Sequence, residues 1–258
     1  NALKPIDLRK KCNNDFTFVD LFCGIGGFHQ AMSSLGGRCV FACDISTSCQ
    51  QVYKNNFCPN NEFVVAGDIK KAIKDNLIPN FDVLCGGFPC QTFSKAGLQN
   101  GFDVVEKEDG VKDERGQLFY RIIDILEKHP ECKFIVLENV RNLADKKENW
   151  DIICTELKKQ HFIITEEPII ESPHNFGIPQ VRERVFILGI RDTVLDKRIK
   201  IKDGKLTREL LKIDQMHNPC PEDGNCLIEI LEKNDDLEKT VQIIQTIIEN
   251  EYKTSNQA

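Results

Sequence analysis

The sequence lacks the features of a membrane or secreted protein. No run of about 18 uninterrupted apolar residues occurs, which argues against a membrane-spanning helix. The first residues are polar where a signal peptide would carry an apolar core, so we expect no signal peptide. None of the twelve cysteines forms a C-x-x-C pair, and several lie in apolar segments. Reduced thiols in a cytoplasmic protein are therefore the simplest interpretation.

The chain also lacks an excess of positive charge. Its formal net charge is −6, which argues against nucleic-acid binding by bulk electrostatics. The acidic excess is uneven, because residues 205–258 hold 6 Lys and Arg against 11 Asp and Glu. The rest of the chain is close to neutral, so a local basic face elsewhere stays open. At 258 residues, the chain is long enough for one large α/β domain with appendages.

A glycine-rich segment follows the first apolar run. Residues 16–22 are typical of a buried strand, and residues 28–35 have the spacing of a helix. Between them, residues 23–27 (Cys-Gly-Ile-Gly-Gly) would let the backbone approach a ligand at the helix N-terminus. The spacing is not G-x-G-x-x-G, and a tight turn without a ligand would have the same composition.

Two later strand ends carry acidic residues. Asp44 follows a second predicted strand, residues 38–42, at the position where a ribose hydroxyl pair is bound in nucleotide-binding folds. Asp68 follows a third, residues 62–65. The alternative for Asp44 is a helix N-cap, a role for which Ser46 competes. Three such strand ends together favour a cofactor pocket in an α/β fold with a doubly wound, mostly parallel sheet.

Cys90 is the candidate nucleophile. An apolar run ends at Cys85, and the next two glycines would let the chain turn sharply before Pro89 stiffens the backbone. Polar side chains follow the thiol, which would place it at the foot of a movable loop; these are Gln91, Ser94 and Lys95. The alternative is a small buried side chain, the commonest role of a cysteine.

Two further groups stand near predicted strand ends. Glu138 and Asn139 follow the apolar run 133–137, and the alternative for Glu138 is a structural carboxylate that caps the next turn. Residues 180–189 alternate as a strand would, which predicts Arg182 and Arg184 on one side and Val181 and Val185 on the other. Two guanidinium groups on one face are suited to an anion or a carbonyl. A surface ladder with Glu183 is the alternative.

The motifs resemble those of the S-adenosylmethionine-dependent cytosine-C5 DNA methyltransferases. Gly-Gly-Phe-Pro-Cys-Gln-x-Phe-Ser, which contains Cys90, is similar to the catalytic motif of that family. The other matching segments occur in family order between about residues 16 and 190: residues 18–28, Asp44, Asp68-Ile69, residues 115–119, Glu138-Asn139-Val140, and Gln-Val-Arg-Glu-Arg at 180–184. The fold that this resemblance implies is the Rossmann-like fold of the S-adenosylmethionine-dependent methyltransferases.

The resemblance also implies residue roles. Cys90 would attack C6 of a flipped-out cytosine, Glu138 would neutralise the charge pushed into the ring, and Arg184 would hold the base O2. Arg182 would steady a loop or a phosphate, while Asn139 belongs to the substrate side with Gln91, Ser94 and Lys95. S-adenosylmethionine would leave as S-adenosylhomocysteine, and no metal is needed. The implied cofactor-site residues are Phe22, Ile25, Gly27, Asp44, Ile45, Asp68, Ile69, Pro89 and Leu118.

The last part of the chain departs from the family pattern. After residue 190 we find neither a variable target-recognition region nor the Gly-Asn-Ser/Ala-Val segment that completes the cofactor pocket in the family. We therefore expect an N-terminal extension at 1–15, with Asn1-Ala2 as a cloning scar. A catalytic domain at 16–190 and an acidic helical tail, or a remnant of the recognition region, at 191–258 would follow it. A truncated or split enzyme would need a second chain for target recognition.

The expected substrate is double-stranded DNA, in a bacterial or phage restriction–modification context without membrane association. Three alternatives remain at this level. The first is an RNA (tRNA) cytosine-C5 methyltransferase, which the residues around Cys90 disfavour. The second is a catalytically silent subunit, against which the intact Cys90, Glu138 and Arg184 argue. The third is a dinucleotide dehydrogenase, in which the Pro-Cys and Glu-Asn-Val segments would have no role.

Overall fold

The structure is a computed structural model that describes residues 16–89, 105–106, 112–113, 117–165 and 167–194. The described helices and strands follow the alternation that the sequence predicts. In chain order they are β1 (Phe16–Leu21), α1 (Gly27–Ser34), β2 (Gly37–Cys43), α2 (Thr47–Phe57), β3 (Val64–Ala66), α3 (Ile69–Lys74), β4 (Val83–Gly87), β5 (Val105–Glu106), β6 (Lys112–Asp113), α4 (Leu118–Lys128), β7 (Phe134–Val140), α5 (Asn142–Asp145), α6 (Lys147–Lys159), β8 (Phe162–Ile164), β9 (Ile169–Glu171) and β10 (Arg184–Arg191).

An eight-stranded, mostly parallel sheet forms the centre of the described fold. Its order is β3-β2-β1-β4-β7-β10-β8, with β9 also paired to β10. The five strands from β3 to β7 are parallel, and β10 is antiparallel to β7 and to β8. The chain first builds outward from β1 to β3 and then returns to place β4 on the other side of β1. This reversal makes a crevice at the carboxyl ends of β1 and β4, where open α/β sheets bind ligands.

Helices cover both faces of the sheet, which confirms the predicted doubly wound α/β class. On one face, Val19 and Leu21 of β1 pack with apolar side chains of α3, α4 and α6. On the other, Phe18 packs with side chains of α1 and α2, such as Met32 and Tyr53. The period of two along β1 therefore divides its side chains between two hydrophobic layers.

Polar contacts fix the end of β1 that lies far from the crevice. The Thr17 backbone amide and hydroxyl both donate to Oδ2 of Asp82, at 2.8 and 2.9 Å. The other carboxylate oxygen of Asp82 lies 2.6 Å from Lys133 Nζ. These contacts join β1 to the starts of β4 and β7, and the ion pair contributes to the lowered pKa of Asp82, against the burial that raises it.

One local prediction was wrong. Gly86 and Gly87 do not turn the chain sharply, because both continue β4 and pair with neighbouring strands. A Cβ at Gly86 would lie 3.1 Å from the Leu21 carbonyl oxygen, so glycine there permits close approach of β1. Within the charged segment 105–116, β5 pairs with β6.

The predicted strand at 180–189 begins later than expected. β10 starts at Arg184, so Arg182 precedes the strand and does not share a strand face with Arg184. Val181 is 80% exposed while Val185 is fully buried, which also contradicts the predicted common face. The reason is that the Arg182 amide donates to the Ser172 hydroxyl, 3.0 Å away, instead of to a neighbouring strand.

None of the helices in the described ranges is long and apolar enough to cross a membrane.

Candidate active site

The glycine turn after β1 has the backbone of a ligand cradle. Phe22, Gly24 and Gly26 all have positive φ, at 56°, 51° and 99°. The first is a left-handed conformation that costs a phenylalanine about 1 kcal/mol or more, and such strain is concentrated at functional sites. The Cys23 amide still donates to the Cys43 carbonyl, at 3.0 Å, so the turn stays attached to β2. Among the described residues, a Cβ at Gly24 would meet nothing within 4 Å, which leaves open space in front of the turn.

Asp44 connects the end of β2 to this turn. Its Oδ2 accepts from the Gly24 amide and its Oδ1 from the Ser46 amide, both at 2.8 Å. Ser46, and not Asp44, is the N-cap of α2, where its hydroxyl accepts from the Cys49 amide at 3.3 Å. Of the two N-cap candidates in the sequence, Ser46 therefore takes the role. Asp44 remains beside the glycine turn at the edge of the crevice.

The remaining cofactor-site candidates stand around the same strand ends. Ile45 is 77% exposed, an unusual position for a large apolar side chain beside a polar turn. Asp68 is the N-cap of α3, accepts from the Lys70 amide at 2.8 Å, and is exposed, whereas Ile69 is buried. Ile25, Gly27 and Pro89 are half-buried, and Leu118, also half-buried, packs against the core at the start of α4.

Glu138 lies directly beside the end of β4. Gly87 and Glu138 are register partners on adjacent parallel strands, and a Cβ at Gly87 would lie 3.2 Å from Glu138 Oε2. The other carboxylate oxygen, Oε1, is 2.8 Å from Nε of Arg184. The carboxylate is therefore held between the glycine of β4 and the guanidinium of β10. The Glu138 and Arg184 side chains are both mostly shielded from water. This low-dielectric environment strengthens their interaction.

Asn139 fixes the backbone that leads to Cys90. Its side-chain amide donates to the Phe88 carbonyl at 3.1 Å, and its Oδ1 accepts from the Val140 amide at 2.9 Å. The residue is 1% exposed, so these contacts are made in a low-dielectric environment. The orientation of the peptide just before Pro89 is consequently set by β7.

A second set of contacts holds the arginines. Arg184 donates from Nη1 to the Glu183 carbonyl at 2.9 Å, and the Glu183 carboxylate lies 2.6 Å from Nη1 of Arg141. Arg141 follows β7 directly, so this ion pair joins the end of β7 to the start of β10. The Ser172 hydroxyl donates to the Gln180 carbonyl at 3.4 Å, in addition to its contact with the Arg182 amide. The loop before β10 is thereby closed at its base.

Comparison with known proteins identifies the family. The model of the C-5 cytosine-specific DNA methylase family matches residues 16–258. This chain is a member of the C-5 cytosine-specific DNA methylase family. It is 40% identical over 186 residues to the Type II methyltransferase M.HpaII of Haemophilus parainfluenzae, covering 71% of this chain and 47% of that protein. To the Type II methyltransferase M.DsaV of Dactylococcopsis salina it is 41% identical over 178 residues, or 68% of this chain and 46% of that protein.

A solved structure has the same fold as this chain. The Dnmt2 methyltransferase of S. pombe superposes with a TM-score of 0.59 at 22% identity, covering 82% of this chain and 58% of the other. The chain spans about half the length of the two curated relatives. The match to the family reaches residue 258, and the predicted divisions at residues 15 and 190 stay predictions.

The nucleophile stays a prediction as well. Cys90, Gln91, Ser94 and Lys95 lie outside the described residues. Cys90 is three residues beyond Gly87, so its Cα is within roughly 11 Å of a residue that contacts Glu138. The predicted pairing of residues 90 and 138 is compatible with this constraint.

Five of the eight thiols that the structure describes are unsuited to nucleophilic chemistry. All eight are free, and burial raises the pKa of Cys23, Cys39 and Cys85 above the ordinary range. Burial also raises the pKa of Cys43 to about 12 and that of Cys132 to about 12. Within the described ranges, no group of three or more His, Cys, Asp or Glu side chains is arranged to hold a metal ion.

Sequence reasoning missed several residues in and around the candidate site. Gly87 was expected to bend the chain, but it makes room for Glu138. Asp20 is fully buried in β1, and a single aspartate within an apolar run was the signal that could have identified it. The ion pair between Arg141 and Glu183 had no comparable signal, because it joins residues 42 positions apart.

Proposed function

We propose that this chain transfers a methyl group to C5 of cytosine in double-stranded DNA, as part of a restriction–modification system. The observation that carries the proposal is the Glu138–Arg184 pair, held against Gly87 of the strand that leads to Cys90. A carboxyl group placed beside the foot of a cysteine loop is what cytosine activation requires. The same crevice begins at the glycine turn, so a methyl donor and a base would meet at one sheet edge.

The residues at the crevice fit S-adenosylmethionine, which would supply the methyl group when bound. Gly24 leaves open space in front of the turn, and exposed Ile45 offers an apolar surface to a purine. Asp44 would take the ribose hydroxyls, and Asp68 with Ile69 would take the adenine edge. Phe22, Ile25, Gly27, Pro89 and Leu118 would line the rest of the site.

Four side chains would bind the base and carry out the chemistry on it. A cytosine flipped out of the duplex presents C6 to the Cys90 thiolate, and formation of the S–C6 bond pushes electron density toward N3 and C5. Glu138 donates a proton to N3 as that density arrives, and Arg184 orients the carboxyl group and holds the base O2. After C5 is methylated, a water molecule takes the C5 proton, and the released electron pair returns to the ring and expels the Cys90 thiolate. N3 then returns its proton to Glu138. Arg182 would steady the loop or a phosphate.

Asn139 would act as a positioning residue for the nucleophile. Because its amide holds the Phe88 carbonyl, the chain enters the Pro89-Cys90 segment from a fixed point. Loss of that hydrogen bond would loosen the thiol relative to Glu138, and small misplacements of reacting groups are costly.

The test is covalent trapping on duplex DNA that contains 5-fluorocytosine. Fluorine at C5 cannot be lost as a cation in the way that the C5 proton is lost. A competent enzyme therefore accumulates a protein–DNA adduct in the presence of S-adenosylmethionine. We expect an adduct for the wild type and none for Cys90→Ser. An adduct on 5-fluorocytosine RNA and not on DNA would indicate an RNA substrate instead. Binding of S-adenosylhomocysteine without any adduct would indicate a catalytically silent chain or one that needs a second chain for recognition.

A further inference from the structure

A buried aspartate lies below the glycine turn, apart from the catalytic groups. Asp20 of β1 is fully buried, and burial raises the pKa of its carboxyl well above the ordinary value. Oδ2 accepts from the Tyr53 hydroxyl of α2 at 3.1 Å. Oδ1 has no hydrogen-bond partner among the described residues. A polar group in such a position is costly, so its retention calls for a physical reason.

The Tyr53 hydroxyl also contacts a buried histidine. Its oxygen lies 2.7 Å from Nδ1 of His29, in the first turn of α1. Burial lowers the pKa of His29 to about 4, so the imidazole is neutral at neutral pH. Asp20, Tyr53 and His29 thus form a hydrogen-bonded chain without a buried cation. Hydrogen bonds in a low-dielectric core are electrostatically stronger than in water, so this network restrains the three side chains.

The two ends of this hydrogen-bonded set of side chains lie on either side of the glycine turn. Asp20 precedes the turn in β1, and His29 follows it in α1, while Tyr53 joins them from α2. The Tyr53 hydroxyl therefore links the two backbone segments that enter and leave the turn. We call this link through Asp20, Tyr53 and His29 the brace. Neither segment can shift relative to the other without lengthening one of the two hydrogen bonds.

Ring packing carries the same constraint into the turn. The His29 ring stacks on Phe57, with centroids 4.2 Å apart and an interplanar angle of 24°. Phe57 lies so close to Gly26 that a Cβ there would be 2.1 Å from its Cε2. Displacement of His29 would thus move Phe57 against Gly26, the N-cap of α1.

We propose that Tyr53, together with Asp20 and His29, is a positioning residue that holds the glycine turn in the conformation that binds the methyl donor. This inference rests on the proposed function, because it assigns that donor to the turn. None of the three side chains needs to touch the ligand. Their effect is on the affinity of the turn, through its backbone.

The experiment compares Tyr53→Phe with Thr17→Val in the full chain. Thr17→Val removes a hydroxyl that donates to Asp82 Oδ2 and accepts from the Asp82 amide at the opposite end of the same strand, so it controls for loss of stability alone. S-adenosylhomocysteine binding is measured by titration calorimetry, and urea unfolding gives the stability of each variant. We expect Tyr53→Phe to raise the dissociation constant about five- to tenfold, the effect of one net hydrogen bond. Thr17→Val should stay within about twofold of the wild type.

Two substitutions of Asp20 supply the rescue test. Asp20→Asn keeps an acceptor for the Tyr53 hydroxyl and should bind within about twofold of the wild type, whereas Asp20→Leu should resemble Tyr53→Phe. Unchanged affinity in Tyr53→Phe, or equal weakening in Thr17→Val, would overturn the proposal.

Hydrogen exchange of the turn separates this inference from the proposed function. Amides of residues 22–28 should exchange faster in Tyr53→Phe than in Thr17→Val at matched stability, with or without ligand. If the wild type binds no S-adenosylhomocysteine but the turn still exchanges faster in Tyr53→Phe, the proposed cofactor is contradicted and the brace is retained. Identical exchange in the two variants would refute the brace itself.

Discussion

Alanine substitutions at Gly24 and Gly26 should separate ligand binding from stability within one turn. Both glycines have positive φ, at 51° and 99°, so an alanine at either position is strained by about 1 kcal/mol. The surroundings differ. The added methyl group at Gly24 meets nothing within 4 Å, whereas at Gly26 it would lie 2.1 Å from Phe57. The two variants are therefore matched controls for each other.

The magnitudes follow from these contacts. Gly24→Ala should lower the free energy of unfolding by about 1 kcal/mol, the backbone strain alone. Gly26→Ala adds overpacking against Phe57, about 1–3 kcal/mol, and weakens the 4.2 Å stack on His29, about 1 kcal/mol. Its total should reach about 3–5 kcal/mol. If the open space at Gly24 is the cofactor cradle, Gly24→Ala should raise the dissociation constant of S-adenosylhomocysteine at least about tenfold.

Urea unfolding followed by circular dichroism gives the stabilities, and titration calorimetry gives the affinities. Wild-type affinity in Gly24→Ala would show that the space in front of Gly24 is not part of a ligand site. A loss below 1 kcal/mol in Gly26→Ala would show that Phe57 moves aside freely, and the packing argument would then be wrong.

Three other substitutions test separate parts of the structure. Glu138→Gln should slow adduct formation on 5-fluorocytosine DNA by about 100-fold without loss of the fold, because it removes the acid and the charge partner of Arg184; an unchanged rate measured by gel shift would contradict this role. Arg191→Met should cost about 3–5 kcal/mol in urea unfolding, because the buried guanidinium donates to three backbone carbonyls, and Arg191→Lys should cost less; equal losses would argue against the fork geometry. Asp20→Asn should gain stability relative to the wild type as the pH rises from 4 to 8. The raised folded-state pKa means that the aspartate favours folding when protonated and loses that contribution as it ionises. A stability difference between Asp20→Asn and the wild type that does not change with pH would refute the raised pKa of Asp20.

Local sequence patterns determined the order and type of most elements. Apolar runs predicted β1 and β2 nearly at their observed bounds, because a strand buried on both faces leaves a continuous hydrophobic signal. They also located β4 and β7, although β4 continues to Gly87 and β7 to Val140. Helical spacing predicted α1 within one residue of its observed bounds. The motifs around Cys90, Glu138 and Arg184 indicated the family without any coordinates, since each keeps its residues close together along the chain.

Only the tertiary structure decided how those motifs meet. The contact of Asn139 with the Phe88 carbonyl joins residues 51 positions apart, and Tyr53 meets Asp20 across 33. Strand register and helix packing create such contacts, and no short stretch of sequence encodes them. For the same reason Gly87 resembled a turn in the sequence, because its neighbour Glu138 belongs to another strand.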